Sequence, residues 1–173
     1  MGCDIAIGAN RGKVCDNLQG GVTRVYFFNL IDNAFTVTAG VVTAINVALT
    51  TVYEYVVEGD GNTYTQVSAT DKKVGTKVNT QTLVAQLKAI NAASNIELDK
   101  LVSGYISGVA KDRNGVYHWF AKDGVNVTAT AESVTGGAPT DFNGYNVTLV
   151  AETLEKAPTL DSASITALLA LVP

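Results

Sequence analysis

An alternation of apolar and polar residues from Thr80 to Ile90 restricts the fold of this chain more than any other feature. Its apolar set comprises Leu83, Ala85, Leu87 and Ala89. A period of two places successive side chains on opposite faces of a β-strand, so one face would be apolar and the other mixed or polar. At about 3.3 Å per residue, we expect a strand roughly 36 Å long.

The residues after this strand predict one short helix, from Asn95 to Ser103. Ser94 or Asn95 can cap its start, because a short polar side chain accepts a hydrogen bond from a free backbone amide. Gly104 can end the helix in the left-handed conformation. Its narrow apolar side would pack on a sheet or over a barrel mouth. The packing residues of that side are Ile96, Leu101 and Val102.

A β-hairpin is predicted from Tyr105 to Lys122, because Asn114-Gly115 is a strong turn signal between two extended runs. The single histidine of the chain, His118, falls in the second run. The sequence marks no carboxylate and nucleophile pair that would work with it. We therefore interpret His118 as a packed or surface strand residue rather than a general base.

Further strands are predicted on the N-terminal side of this unit. The run from Val22 to Ile31 has high β-propensity and is apolar on both faces, which suits a strand inside a sandwich or between subunits. Asp60-Gly61-Asn62 is a turn signal between an extended run from Thr50 to Glu58 and a return strand from Thr63 to Ala69.

A mostly polar stretch from Thr63 to Thr82 surrounds the glycine-bearing segment from Asp71 to Lys77. It predicts a hairpin arm, meaning residues 63–82, that protrudes from the body. Such a hairpin has no core of its own and is marginal in water, so docking on another surface would be needed to order it. A flexible surface loop is the alternative.

Composition favours a chain whose surface is partly covered by partners. Charged residues make up only 16% of the sequence, below the quarter or so that is usual for soluble domains. A surface rich in Thr and Asn is the alternative explanation. The net charge is −4, and no basic patch is dense enough to grip nucleic acid. An acidic surface would instead repel DNA, as a conduit requires.

The sequence predicts neither a metal site nor a cofactor site. Cys3 and Cys15 lack zinc-ligand spacing, and we expect reduced thiols, with a disulfide as the alternative in an oxidising compartment. The glycines from Gly8 to Gly12 do not match a phosphate-binding pattern. No signal peptide and no run of 18 apolar residues is present, so we expect no contact with a membrane.

These patterns together predict a mainly β fold, a sandwich or barrel with one short α-helix, an extended hairpin arm and a C-terminal tail. We divide the chain into an N-terminal arm (1–21), a β domain (22–158) and a tail (159–173). Pro158 would end the fold. A short helix from Ser162 to Leu171, capped by Ser162, would pack on this subunit or on a neighbour.

The order of several short motifs resembles that of the tail tube proteins of tailed bacteriophages, over roughly residues 22–158. The motifs are Leu83-Val84-Ala85-Gln86-Leu87, the helix from Ile96 to Val102, Asn114-Gly115-Val116-Tyr117-His118-Trp119, Gly144-Tyr145-Asn146-Val147-Thr148-Leu149 and the exit Glu155-Lys156-Ala157-Pro158. The tail after Pro158 departs from the compact ending of that family and leaves related neck or ring proteins open.

The resemblance implies a virion protein, assembled in the host cytoplasm, that forms six-fold rings stacked head to tail as a hollow tube. Its partners would be further copies, other tail or neck proteins, and DNA that passes without sequence-specific binding. In that family an arm reaches the adjacent ring, and the hairpin arm or residues 1–21 would take this part. The candidate inter-subunit residues are Thr63, Tyr64, Asp71, Lys72, Lys73 and Lys77.

Two other classes of function are alternatives to this one. A capsid decoration or host-attachment β-sandwich would share the short strands and turn signals. An enzyme is disfavoured, because the sequence has no nucleophile elbow, no phosphate loop and no carboxylate pair singled out by its spacing. We therefore expect a structural protein without catalytic residues.

Overall fold

A computed structural model describes Arg11 and residues 18–173, which form two open β-sheets with two helices. The strands are β1 (Val22–Asn29), β2 (Phe35–Thr38), β3 (Val41–Ile45), β4 (Tyr53–Val56), β5 (Thr63–Asp71), β6 (Thr76–Lys88), β7 (Ile106–Asp112), β8 (Tyr117–Phe120), β9 (Thr128–Val134), β10 (Gly144–Thr153) and β11 (Thr159–Leu160). The helices are α1 (Ala92–Ser103) and α2 (Ser162–Leu169). The predicted mainly β class is confirmed.

The larger sheet has seven strands in the order β2-β3-β11-β8-β7-β1-β4, and the smaller has four in the order β5-β6-β10-β9. Only the pairing of β11 with β3 is parallel within these two sheets. Neither sheet closes on itself, so the arrangement agrees with the sandwich rather than the barrel.

Strand β1 is buried on both faces, as its sequence predicts. Val25 and Phe27 point into a core between the two sheets. Tyr26 and Phe28 point the opposite way, into a second core on the far face of the larger sheet. Because alternate residues of a strand face opposite sides, one apolar run supplies both cores.

Helix α1 packs beside β9 at one flank of the sandwich. It begins three residues earlier than predicted, because Asn91 caps it by accepting a hydrogen bond from the Ser94 amide (2.8 Å). Leu98 and Leu101 are buried in the first core. The predicted packing role of Ile96 is wrong, since its side chain is 58% exposed, and Val102 is only half-buried.

Gly104 ends α1, but in an extended conformation (φ −87°) rather than the predicted left-handed one. Its amide donates to the carbonyl oxygen of Lys100 (2.8 Å). A Cβ atom at this position would lie 2.8 Å from that same oxygen. Close approach of the backbone, and not a positive φ, is therefore the reason for glycine here.

The C-terminal segment belongs to the fold, and the expectation that the fold ends at Pro158 is wrong. Strand β11 lies between β3 and β8 in the larger sheet. Helix α2 follows and places Leu168 in the second core. Asp161, and not Ser162, caps this helix, accepting a hydrogen bond from the Ser164 amide (2.7 Å). Of the two predicted packing sites for this helix, its own subunit is the one observed.

The predicted turn at residues 60–62 is a bend at residues 59–60, followed by Gly61 at φ +94°, and the strands on either side of it do not pair with each other. Strand β4 pairs with β1, and β5 pairs with β6 in the other sheet. Buried Asn62 links the two sheets at this crossing. Its carbonyl oxygen accepts from Val22 of β1 (3.1 Å), and its Oδ1 accepts from the Gln86 amide of β6 (2.6 Å).

The long strand is β6, which starts four residues earlier than predicted and ends at Lys88. Ala89 lies outside its alternation, because the backbone turns to a φ of +67° there.

Most of the predicted N-terminal arm, with Cys3 and Cys15, lies outside the described residues. Gln19 is described, and its backbone amide donates to the side chain of Asn114 in the β7–β8 turn (2.9 Å).

Replacing Trp119 with alanine should lower the free energy of unfolding by about 3–5 kcal/mol, because a buried indole leaves a cavity that the second core cannot fill. The ring packs edge-to-face on Phe35, and its N–H donates to Ser107 (2.9 Å). Urea denaturation followed by circular dichroism measures the change. Val47→Ala, at a side chain 94% exposed, is the control and should change stability by no more than about 0.5 kcal/mol. A loss below about 1 kcal/mol for Trp119→Ala would contradict the described second core.

Candidate functional site

The hairpin arm extends beyond the rest of the smaller sheet. Strand β6 pairs with β10 as far as Asn79, opposite Thr153, whereas β5 and β6 continue to pair up to Asp71 and Thr76. The three further rungs project about 10 Å, before the turn itself is added. We call this overhanging part, residues 69–78, the arm tip. The structure shows the predicted hairpin, with β5 and β6 paired from Thr63 to Asp71.

The turn of the arm tip is held by Asp71. Its Oδ1 accepts from the amides of Lys73 (2.8 Å) and Val74 (3.3 Å), and its carbonyl oxygen accepts from Gly75 (2.8 Å). Gly75 has a φ of +75°, which glycine adopts without steric cost. The carboxylate of Asp71 therefore serves the turn of its own chain.

Three lysines and one apolar side chain of the arm tip are exposed to solvent. Lys72, Lys73 and Lys77 are exposed, and none of them takes part in the ion pairs found among the described residues. Val74 at the turn is 72% exposed. On a chain of net charge −4, the arm tip is thus a local concentration of positive charge.

The arm is attached to the body by a buried polar network on the inner face of β6. The Asn79 side chain accepts from Ser68 and donates to the carbonyl oxygen of Leu154 (2.7 Å). The Gln81 side chain donates to Thr153 Oγ1 (3.1 Å) and accepts from the Ala121 amide (2.9 Å). Both amide side chains are buried, so they fix the direction of the arm against β10 and the end of β8.

Sequence reasoning missed this network, although a signal was present. Asn79 and Gln81 stand in phase with Leu83 and Ala85 on the buried face of β6. Two amide residues that continue an apolar series predict buried polar groups, and buried polar groups need hydrogen-bond partners.

Two predicted inter-subunit residues stand at the base of the arm rather than at its tip. Thr63 begins β5 opposite Val84 and is exposed. Tyr64 points inward, where its ring stacks on His118 with centroids 5.4 Å apart and meets Phe120 edge-to-face. Burial raises the pKa of the Tyr64 hydroxyl. Its side chain therefore packs within its own chain, and His118 is the packed strand residue that the sequence predicts.

Within the described part of the chain, each sheet has two strands with an unpaired edge: β2 and β4 in the larger, β5 and β9 in the smaller. Strand β4 exposes Tyr53 and Val56. Its Glu54 pairs with Arg24 and accepts from the Tyr26 hydroxyl (2.9 Å). The Arg24 hydrogen bond, the largest of several causes, lowers the pKa of Glu54 below its ordinary value of 4.5.

A wide cleft of about 1110 Å³ opens beside the end of β8, over Trp119 and Pro158. Its charged lining includes Lys122 and Glu155, whose side chains pair at 3.4 Å.

Among the residues that the structure describes, no group of three His, Cys, Asp or Glu side chains could hold a metal ion. In the same part of the chain no helix combines the length and apolar character needed to cross a membrane.

Comparison of the chain with protein-family models, with curated proteins and with solved structures finds no match. The geometry of the arm, of its buried attachment and of the open sheet edges is therefore what bears on function.

Asn79→Ala should destabilise the fold by about 1–3 kcal/mol, because it leaves the Leu154 carbonyl and the Ser68 hydroxyl without their partner. Hydrogen exchange of the amides in residues 69–78 should accelerate more than exchange in β7. Thr65→Ala, on the exposed face of β5, is the control and should change neither quantity. Unchanged exchange in the arm tip of Asn79→Ala would contradict the attachment role of this network.

Glu54→Gln should reduce stability at pH 7 and have less effect in acid. A carboxyl group whose pKa is lowered on folding contributes stability above its unfolded value, here 4.5, and loses it as the pH falls through the folded pKa. Thermal melts from pH 7 down to pH 3 measure the difference between the two proteins. Glu132→Gln, on exposed β9, is the control. A difference that stays constant over this range would contradict the assignment.

Proposed function

We propose that the chain is a structural virion protein that self-assembles into rings, hexameric as the tail tube resemblance implies, which stack into a phage tail tube. The tube would serve as a conduit for DNA. The observation that carries the proposal is the hairpin arm. Its tip protrudes as a paired hairpin beyond the last rung between β6 and β10, while the buried network of Asn79 and Gln81 fixes its direction. A fixed, projecting hairpin suits a contact with another copy.

The open sheet edges support the same proposal. An unpaired edge presents backbone N–H and C=O groups that attract another strand, and a ring satisfies them by pairing each copy with the next. The two flanks of the sandwich differ: β5 lies over β8 on one flank, through the Tyr64–His118 stack, and α1 lies beside β9 on the other. Contacts between unlike surfaces generate closed rings or helical filaments.

Charge is compatible with passage of DNA without binding. Among the residues described from Gly20 onward, most cations outside the arm tip take part in ion pairs, such as Lys88 with Glu58 (2.9 Å) and Arg113 with Asp60 (3.6 Å). The free lysines concentrate at the arm tip, where an acidic surface of a neighbouring copy would attract them. A neck or terminator ring would use the same arm and edges without stacking into a tube.

Electron microscopy and analytical ultracentrifugation of the purified protein, alone and with its assembly partners, test the proposal. We expect closed rings or tubes with one rotational symmetry. A variant with an Asn-Gly turn in place of residues 70–77 should keep its melting temperature within a few degrees, since the replaced residues hold no core, and should lose assembly. Monomers under all these conditions would refute the proposal. Rings that never stack would favour the neck or terminator alternative.

A further inference from the structure

The two ends of the β5–β6 ladder carry opposite charge, and the arm tip is the basic one. Its three lysines, Lys72, Lys73 and Lys77, stand against one acid, Asp71, which gives a net charge of +2. The carboxylate of Asp71 accepts hydrogen bonds from the amides of its own turn. The lysines therefore lack a carboxylate partner among the described residues.

The opposite end of the sandwich, which we call the far end, is built from four segments. They are the β4–β5 connection, the last residue of β6, residues 112–116 between β7 and β8, and the loop before β10. Lys88 pairs with Glu58 (2.9 Å), and Arg113 pairs with Asp60 (3.6 Å). Because β10 also begins opposite Lys88, all four segments meet at this end. The charged residues of the far end are Glu58, Asp60, Lys88, Asp112, Arg113 and Asp141.

The far end is acidic even when its internal ion pairs are counted. Four acidic and two basic residues give it a net charge of −2. The side chain of Asp60 is fully exposed and that of Glu58 is 66% exposed, so both carboxylates are accessible to another molecule. Residues 1–17 contain two acidic and two basic residues, so their charges cancel.

The opposite charges of the ladder cannot meet within one copy of the chain. Val74 at the arm tip and Lys88 at the far end are 14 positions apart, which corresponds to about 46 Å along extended strands. A lysine side chain spans only a small fraction of that length. The lysines of the arm tip can therefore meet a far end only in a second copy.

We propose that the arm tip of one copy binds the far end of the next copy, so that copies stack along the direction of β5 and β6. This inference rests on the proposed function and names the two surfaces that meet in the stack. Because the two surfaces differ, the same contact can repeat from copy to copy. A reversed copy would bring like charges together, so the contact also fixes the polarity of the stack.

The contact draws its strength from repetition. A single exposed ion pair contributes little to stability. Three lysines and the exposed side chain of Val74 act together, and the copies of one ring engage the next ring at the same time, which raises the overall affinity. Stacking should weaken with added salt, because the screening length falls from about 10 Å at 0.1 M to about 3 Å at 1 M.

Charge reversal at each end separately tests the contact. Lys72→Glu with Lys73→Glu and Lys77→Glu makes both ends acidic, whereas Glu58→Lys with Asp60→Lys makes both ends basic. We expect each variant alone to lose stacking by about ten-fold or more in sedimentation, because like charges then face each other. An equimolar mixture of the two variants should stack again. The matched control replaces the same three lysines with arginine, which keeps the charge, and should stack as the unaltered protein does.

Thermal melts and electron microscopy separate the outcomes. All five altered side chains are exposed, so the melting temperatures should agree within a few degrees. A lysine-to-glutamate variant that stacks normally, or a mixture of folded variants that fails to stack, would overturn this contact and leave the proposed ring formation intact. Unaltered protein that forms only single rings would overturn the contact as well. Unaltered protein that stays monomeric would overturn both the contact and the proposed function.

Discussion

The two-sided burial of β1 is the constraint on which the rest of the structure depends. Val25 and Phe27 face one core while Tyr26 and Phe28 face the other, so the larger sheet must be covered on both sides. The smaller sheet and α1 cover one face, and α2 with the segment before β4 covers the opposite face. A strand with a single apolar face would need only one of these layers.

In the smaller sheet, β5 and β6 extend beyond the apolar core that they help to cover. On the N-terminal side of the apolar residues of β6, the buried positions are occupied by Asn79 and Gln81. These side chains hold the strand by hydrogen bonds rather than by apolar packing. Directional bonds fix an orientation more sharply than apolar contact does, because hydrophobic burial has no preferred direction. The arm is therefore stiff at its base, although its tip has no core. That combination is the physical basis of the proposed assembly role.

Sequence patterns predicted the features that depend on neighbouring residues, namely individual strands and turns. The alternation in β6, the apolar run of β1 and the Asn-Gly turn between β7 and β8 gave the mainly β class and most strands. Long-range pairing escaped prediction. Nothing near Asn62 indicates that it separates strands of two different sheets, and nothing near Leu160 marks a strand that pairs with β3. The protruding hairpin was predicted from its polarity, but its buried attachment was not, since burial of Asn79 depends on β10.

The place of β11 has a consequence for synthesis. This strand is the last of its sheet along the chain, yet it lies between β3 and β8 and is hydrogen-bonded to both. While the ribosome is still translating, β2 and β3 have no link through the sheet to β8, β7 and β1. The larger sheet can become continuous only after Leu160 has left the exit tunnel. In a nascent chain, the facing edges of β3 and β8 would therefore stay unpaired until β11 is inserted between them.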